Sequence, residues 1–354
     1  MRRGLIWVAA VLVVLVAAHS LVWRWAVAKV AEQYELWVQH LRSQGLVVTT
    51  GTPERTGWPL AARLRLPDVH LAEGGRDPAV TVSWMGEHVV LGVALLHPRT
   101  LVIHFEGMQH VRLGQGPEVP FTADRLEAIV PLEPGAPARE ADISGANIRA
   151  GMPVGGPGGP GGMTIALLSL HGASKPAATQ GEPALSFTGS AQDIGLPPPP
   201  AGKTWPLGPR IASISVEGAL NGPLPQAADP LARATGWRDG GGTLQIGRFA
   251  IGWGPLGLNG SATLALDEHM QPMGTATAHI IGESQVLDAL AASGVITPRT
   301  ALATKAFLGL MAKEPEGGGA PQVDVPLTLQ DRKLAMGRIP VTVVPELVWP
   351  SARP

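Results

Sequence analysis

The chain contains no cysteine, which excludes disulfides, thiolate metal sites and cysteine nucleophiles and leaves the redox compartment open. It is also poor in charge. Only 16% of its 354 residues are Asp, Glu, Lys or Arg, well below the usual quarter. The 27 basic and 28 acidic residues nearly cancel, to a net charge of −1. That balance excludes a broad electrostatic grip on nucleic acid or on acidic substrates. Apolar residues are not scarce: at 45% they are ample for a core, so the chain as a whole is not disordered. Gly (45) and Pro (34) are abundant instead. Long helices tolerate neither residue, so a mostly helical fold is excluded.

Catalytic motifs are missing as well. No Gly-x-Ser-x-Gly elbow, Ser-x-x-Lys or His-Glu-x-x-His occurs. Ala201-Gly202-Lys203-Thr204 resembles the end of a phosphate loop. Pro197 stands where that motif needs glycine, and Trp205-Pro206 cannot open the helix it requires. Gly252-Trp253-Gly254-Pro255-Leu256-Gly257 has dinucleotide-loop spacing, but a strand pattern follows it, so no helix dipole can hold a pyrophosphate. These residues make a turn between strands. The ten histidines are scattered, and His104 and His110, the nearest pair in the body of the chain, show no ligand spacing. Asp142, Asp193, Asp267 and Asp288 sit near turns or helix starts, where carboxylates cap backbone amides. The reading is therefore of a non-enzyme with no catalytic residue, no cofactor and no metal.

One uncharged stretch stands out at the N-terminus. Arg2 and Arg3 precede residues 5–23, which would form about 29 Å of helix, close to the ~30 Å hydrocarbon core of a bilayer. Leu5, Leu12, Leu15 and Leu21 would face lipid, with Trp7 and Trp23 near the interfaces. The rival is a cleaved signal peptide ending at Val16-Ala17-Ala18. The retained anchor is favoured because the helical pattern runs on past Ala18. The slight excess of positive charge before the span places the N-terminus in the cytoplasm and the bulk of the chain in the periplasm. Over residues 24–45, Val30, Tyr34, Trp37, Val38 and Leu41 recur at helical steps, forming an amphipathic helix that ends at Gly45. It would pack on the following domain or lie on the membrane.

From Leu46 onward the period becomes two. Leu60, Ala62, Leu64 and Leu66 alternate with Arg63 and Arg65, and Leu101, Ile103 and Phe105 follow the same rule. So do Leu256, Leu258, Leu264 and Leu266 against Asn259, Ser261 and Thr263, and Val323, Val325 and Leu327 against Asp324 and Thr328. The count is on the order of twelve to sixteen strands, antiparallel because their connections are short. Late helices are expected at 284–293, capped by Ser284, and at 298–313, capped by Thr297 with Pro298 at its first position and Leu302, Phe307, Leu308, Leu310 and Met311 on its apolar face. A short one fits 229–237. Residues 155–162, GGPGGPGG, form a loop or a linker between a first β region (46–154) and a second (163–354). The fold class is mainly β: a transmembrane helix over 1–23, then a large, curved, mostly antiparallel sheet with a few short helices. Leu64, Leu101, Ile103, Phe105, Leu258, Leu264, Leu266, Val325 and Leu327 are expected to share an apolar interior, either a lipid-facing trough or a closed core.

Gly57-Trp58-Pro59 opens the first long strand. Later come Gly241-Gly242, Trp253-Gly254-Pro255-Leu256, Leu266-Asp267, Gln271-Pro272-Met273-Gly274, Val325-Pro326-Leu327, Gly337-Arg338-Ile339-Pro340 and Trp349-Pro350. This set of turns and prolines resembles the bacterial family called domain of unknown function 2125, over most of the chain. More remotely, the repeat of strand, glycine turn, Leu-x-Leu-Asp and strand is similar to AsmA-like envelope proteins. That resemblance implies an inner-membrane-anchored periplasmic β protein with a part in phospholipid traffic, although the chain is short for bridging a periplasm. The partners implied are the inner membrane, phospholipid and other envelope proteins, without nucleic acid. A non-catalytic scaffold or assembly factor with a closed core is the alternative to lipid handling, and a hydrolase ranks last.

Overall fold

The computed structural model describes residues 2–43, 45–73, 82–114, 116–133, 138–151, 162–199, 202–225, 230–313, 322–337 and 339–349. In chain order the elements begin with α1 (Arg2–Ser43), β1 (Leu46–Thr49), β2 (Glu54–Thr56), β3 (Ala61–Glu73), β4 (Val82–Ala94) and β5 (His97–Leu113). Next come β6 (Val119–Thr122), β7 (Arg125–Pro131), β8 (Glu140–Ala150), β9 (Met163–Ser174), β10 (Pro183–Gly195) and β11 (Arg210–Asn221). Then follow α2 (Pro230–Asp239), β12 (Thr243–Trp253), β13 (Leu256–Leu266), β14 (Pro272–Ile281), α3 (Glu283–Ala292) and α4 (Pro298–Met311). The last are β15 (Ala312–Lys313), β16 (Gln322–Gln330), β17 (Lys333–Met336) and β18 (Ile339–Val343). The eighteen strands among the described residues exceed the number that alternation reveals because β1, β2, β6, β15 and β17 have four residues or fewer, too few to display a period. The pairings of the described strands are antiparallel.

The chain divides into two compact units, residues 1–118 with 125–141, and residues 119–124 with 142–354. The division lies upstream of the Gly/Pro segment, of which residues 155–161 lie outside the described residues, as do 314–321.

In the first unit α1 is continuous, so the apolar stretch over 1–23 and the amphipathic stretch over 24–45 are one helix. No Gly or Pro lies between Gly4 and Gly45 to break it. Gly45 ends it in the left-handed region at φ 87°, its N–H bonded to the Arg42 carbonyl at 3.0 Å. The two halves differ in surroundings. Trp7, Leu12, Leu15 and Leu21 are exposed, whereas Val27, Tyr34 and Val38 are buried. Tyr34 and Val38 pack on Val48 of β1, on Leu64, Leu66 and Val69 of β3 and on Val89 of β4. β3 is the centre of this sheet, with β1 and β2 along one edge and β4 along the other. β5 then pairs with β4 and with β7. Ala62, Leu64 and Leu66 are buried, on the face opposite Arg63 and Arg65. Leu60, read as the start of this alternation, precedes the strand and is exposed.

In the second unit β9, β10, β11, β12, β13, β14 and β16 pair in succession. β15 and β17 pair with β16, β18 pairs with β17, and β6 pairs with β8. A core of Ala278, Val323 and Val325 is packed by Phe249, Leu258, Leu327 and by Leu308 from α4. α4 opens as its sequence predicts: Thr297 Oγ1 accepts from the Thr300 N–H at 3.1 Å, ahead of Pro298. Leu302, assigned to its apolar face, is exposed, and Ala301 is buried instead. The side chains of Phe307, Leu310 and Met311 lie outside the described residues. Ser284 does not cap α3. The helix begins one residue earlier, and Gly282 takes the cap position at φ 79°, a conformation open to glycine but costly to serine.

Candidate functional site

The apolar positions expected to form one interior belong to separate surroundings. In the first unit Leu64 is 1% exposed, with Ile103 and Phe105 packed against its cluster and Leu101 half-buried on the same strand as they are. In the second unit Leu258, Val325 and Leu327 belong to the core around Val323. Leu264 and Leu266 join neither cluster. They line an open apolar pocket of about 420 Å³. Alternation reports which residues share a face of a strand, but not which interior that face meets.

The floor of this pocket is a row of leucines across three strands. Leu220 of β11 is paired with Leu244 of β12, Leu244 with Leu264 of β13, and Leu264 with Gly274 of β14. Gly274 leaves the row without a side chain at that position, and the register continues to Leu329 of β16. One wall is α2, which presents Arg233, Ala234 and Trp237. Trp237 is buried, and its Nε1 donates to the Asn221 carbonyl at 2.9 Å. Its indole lies so close over Gly242 that a Cβ there would meet the ring at 2.3 Å. The triple glycine after α2 thus lets the chain pass beneath an aromatic ring.

A second part of the lining is a C-terminal strap that contributes Leu347 and Trp349. Gln271, buried, grips the strap at both ends of one residue. Its Oε1 accepts from the Leu347 N–H at 2.8 Å and its Nε2 donates to the Leu347 carbonyl at 3.1 Å. Trp349 Nε1 donates to the Met270 carbonyl at 2.8 Å, and Arg332 Nε to the Val344 carbonyl at 3.1 Å. The turn that carries Gln271 is itself braced. Asp267 Oδ1 accepts from the N–H groups of His269 and Gln271, each at 2.8 Å. Among the lining residues Arg233 alone carries a formal charge, and it is exposed with no ion pair among the described residues.

The histidines and carboxylates singled out by sequence at 104, 110, 142, 193 and 288 lie elsewhere, in pairs. His104 faces Glu127 at 3.6 Å and His110 faces Glu118 at 2.7 Å. Asp142 meets His171 at 2.8 Å, Asp193 meets Arg210 at 2.8 Å and Asp288 meets Lys305 at 2.6 Å. Hydrogen bonds from Arg149 and then Asn147 hold the Asp124 carboxyl below its usual range. Glu182 is lowered to about 2, chiefly by the Thr179 N–H and then by Lys175. Among the described residues no three His, Asp or Glu side chains gather as a metal site would require. Gly254 sits in the turn between β12 and β13, and Lys203-Thr204 lies in an irregular segment with no helix after it.

The anchor residues occupy α1, which is long and apolar enough to cross a membrane. Trp7, Leu12, Leu15 and Leu21 are exposed on it, and the side chain of Leu5 lies outside the described residues. Trp23 is turned back, its Nε1 donating to the Ala61 carbonyl at 2.8 Å. The fold and pocket define a mainly antiparallel β protein led by a single helix of membrane-spanning length. Its family follows from the comparison of sequences: the chain belongs to the domain of unknown function 2125 family, described as uncharacterised proteins conserved in bacteria, whose profile matches residues 23–345. No curated protein and no solved structure matches it.

Proposed function

We propose that the protein is a single-pass inner-membrane protein, with its β units in the periplasm, that holds the apolar part of a lipid in the pocket between α2 and the C-terminal strap. The observation that carries this reading is the pocket itself: hydrocarbon walls, a cation at Arg233 with no ion pair among the described residues, and about 420 Å³ of space, within the usual size range of small-molecule sites. Each methylene buried there contributes ~0.8 kcal/mol, and the Arg233 guanidinium favours an anionic head beside the tail. The role is that of a holder or carrier rather than a catalyst.

The exposed half of α1 supports membrane anchoring, since a contiguous apolar surface of that length in water is a large penalty. Two measurements test the reading. The protein should stay in the pellet after an alkaline carbonate wash, with its N-terminus at or near Met1. Gentle detergent extraction followed by native mass spectrometry should show co-purifying phospholipid that is lost in Leu264→Glu. Lipid retained equally by that variant would place the binding elsewhere. A soluble product beginning at His19 would remove the anchor.

A scaffold for other envelope proteins is the second reading. The filled cores around Leu64 and Val323 favour it, because those faces have no room for a ligand.

A further inference from the structure

We infer that the end of the first unit's sheet bearing Trp58, Leu60 and Leu96 inserts into the surface of the bilayer that α1 crosses. This rests on the reading of α1 as a membrane span. The helix rises 1.5 Å per residue, so His19 lies about 21 Å and Trp23 about 27 Å beyond Leu5, within the ~30 Å hydrocarbon core. Any tilt brings both deeper. Yet the sheet already touches the helix at these two residues. His19 Nε2 donates to the Pro59 carbonyl at 2.7 Å and Trp23 Nε1 to the Ala61 carbonyl at 2.8 Å. The segment around residues 57–61 is thereby held at the depth of the bilayer edge, not above it.

The chemistry of that end matches its depth. Leu96 is 87% exposed, Leu60 77% and Trp58 53%. Leu60 is joined to the β4–β5 hairpin that carries Leu96 by the Leu95 N–H on its carbonyl at 3.2 Å. Exposed Arg24 and Arg99, with no ion pair among the described residues, flank the apolar group as interfacial cations do. Backbone carbonyls at this depth meet little water and need internal donors. Two side-chain donors of α1, His19 and Trp23, go to carbonyls of this segment.

The absence of native cysteine makes the test direct. Full-length Leu96→Cys, Leu113→Cys and Val13→Cys proteins carry one environment-sensitive fluorophore each, in phosphatidylethanolamine–phosphatidylglycerol vesicles containing lipid spin-labelled near the headgroup or deep in the chain. Leu96 and Leu113 are exposed at opposite ends of β5's hairpin and strand, so labelling leaves the core untouched. The Leu96 probe should be blue-shifted and quenched severalfold more by the shallow label than the Leu113 probe. The Val13 probe should be quenched most by the deep label. A deep-quenched Val13 with Leu96 behaving like Leu113 overturns the insertion and keeps the span. An unquenched Val13 overturns both.

Discussion

The two units treat similar strand patterns differently. In the first, Leu64 and Leu66 meet a helix of the same chain, whose Tyr34 and Val38 are buried in one cluster with them. In the second, the row of Leu220, Leu244 and Leu264 shares its pocket with the ten-residue α2 and with a strap outside any strand or helix. A long amphipathic helix has enough side chains to close a sheet face. A short helix with one large buried residue, Trp237, facing a row interrupted by a glycine does not. What covers the face therefore decides between core and pocket, and the strand pattern alone does not.

The comparison breaks most sharply under a buried charge. Leu64→Glu places an unpaired carboxylate in the filled interior. The cost of several kcal/mol is a large share of a typical stability of ~5–15 kcal/mol, and the first unit should unfold. Leu264→Glu puts the same group in the open pocket, where water reaches it. It should melt near the wild-type temperature while losing bound lipid. Thermal unfolding and bound-lipid content measured on both variants test this, and equal destabilisation would mean that the pocket is as closed as the core.

Next in size is Trp237→Ala, which removes the indole that both walls the pocket and covers Gly242. A loss of ~3–5 kcal/mol is expected, read as a lowered denaturant midpoint. Tryptophan fluorescence of the remaining nine should show whether the first unit keeps its own transition.

These contrasts mark what the sequence discloses and what it conceals. The parity of Ala62, Leu64 and Leu66 and of Val323, Val325 and Leu327 is legible because a pleated strand alternates without exception over such runs. Thr297-Pro298 is equally legible, since capping is local. The pocket is not. Its strap meets Gln271 from 76 residues away, and no local pattern marks the tail as a wall. Nor does alternation say that Phe105 and Val325 serve different cores, because that assignment is made by long-range pairing. The contact of His19 with Pro59 left no trace for the same reason. A lone histidine near the end of an apolar stretch reads as a boundary, not as a donor to a carbonyl 40 residues on.

Gln271→Ala has a smaller effect. It removes both hydrogen bonds to Leu347 but leaves Trp349 on the Met270 carbonyl. Since Leu347 is exposed, water replaces part of what is lost, and about 1–2 kcal/mol is expected. Hydrogen exchange at the Leu347 amide should accelerate while amides of β16 stay protected. If the whole second unit exchanges faster, the strap is part of the core rather than a cover on it.

The smallest expected effect belongs to the turn between β9 and β10, far from either interior in chemistry. Glu182 accepts from the Thr179 N–H at 2.9 Å and pairs with Lys175 at 3.0 Å. Its carboxyl falls from the ordinary 4.5 to about 2. A folded-state value below the unfolded one means that the stabilisation is complete above pH 4.5 and is lost as pH falls toward about 2. The group is partly open to solvent, so salt screens the Lys175 part and the gain is slight. Glu182→Gln should melt slightly below wild type at pH 6 and together with it at pH 2. The gap should close between those values and narrow in high salt. A gap that stays constant with pH would mean that the turn depends on the shape of the side chain and not on its charge, and the lowered pKa would then make no contribution to stability.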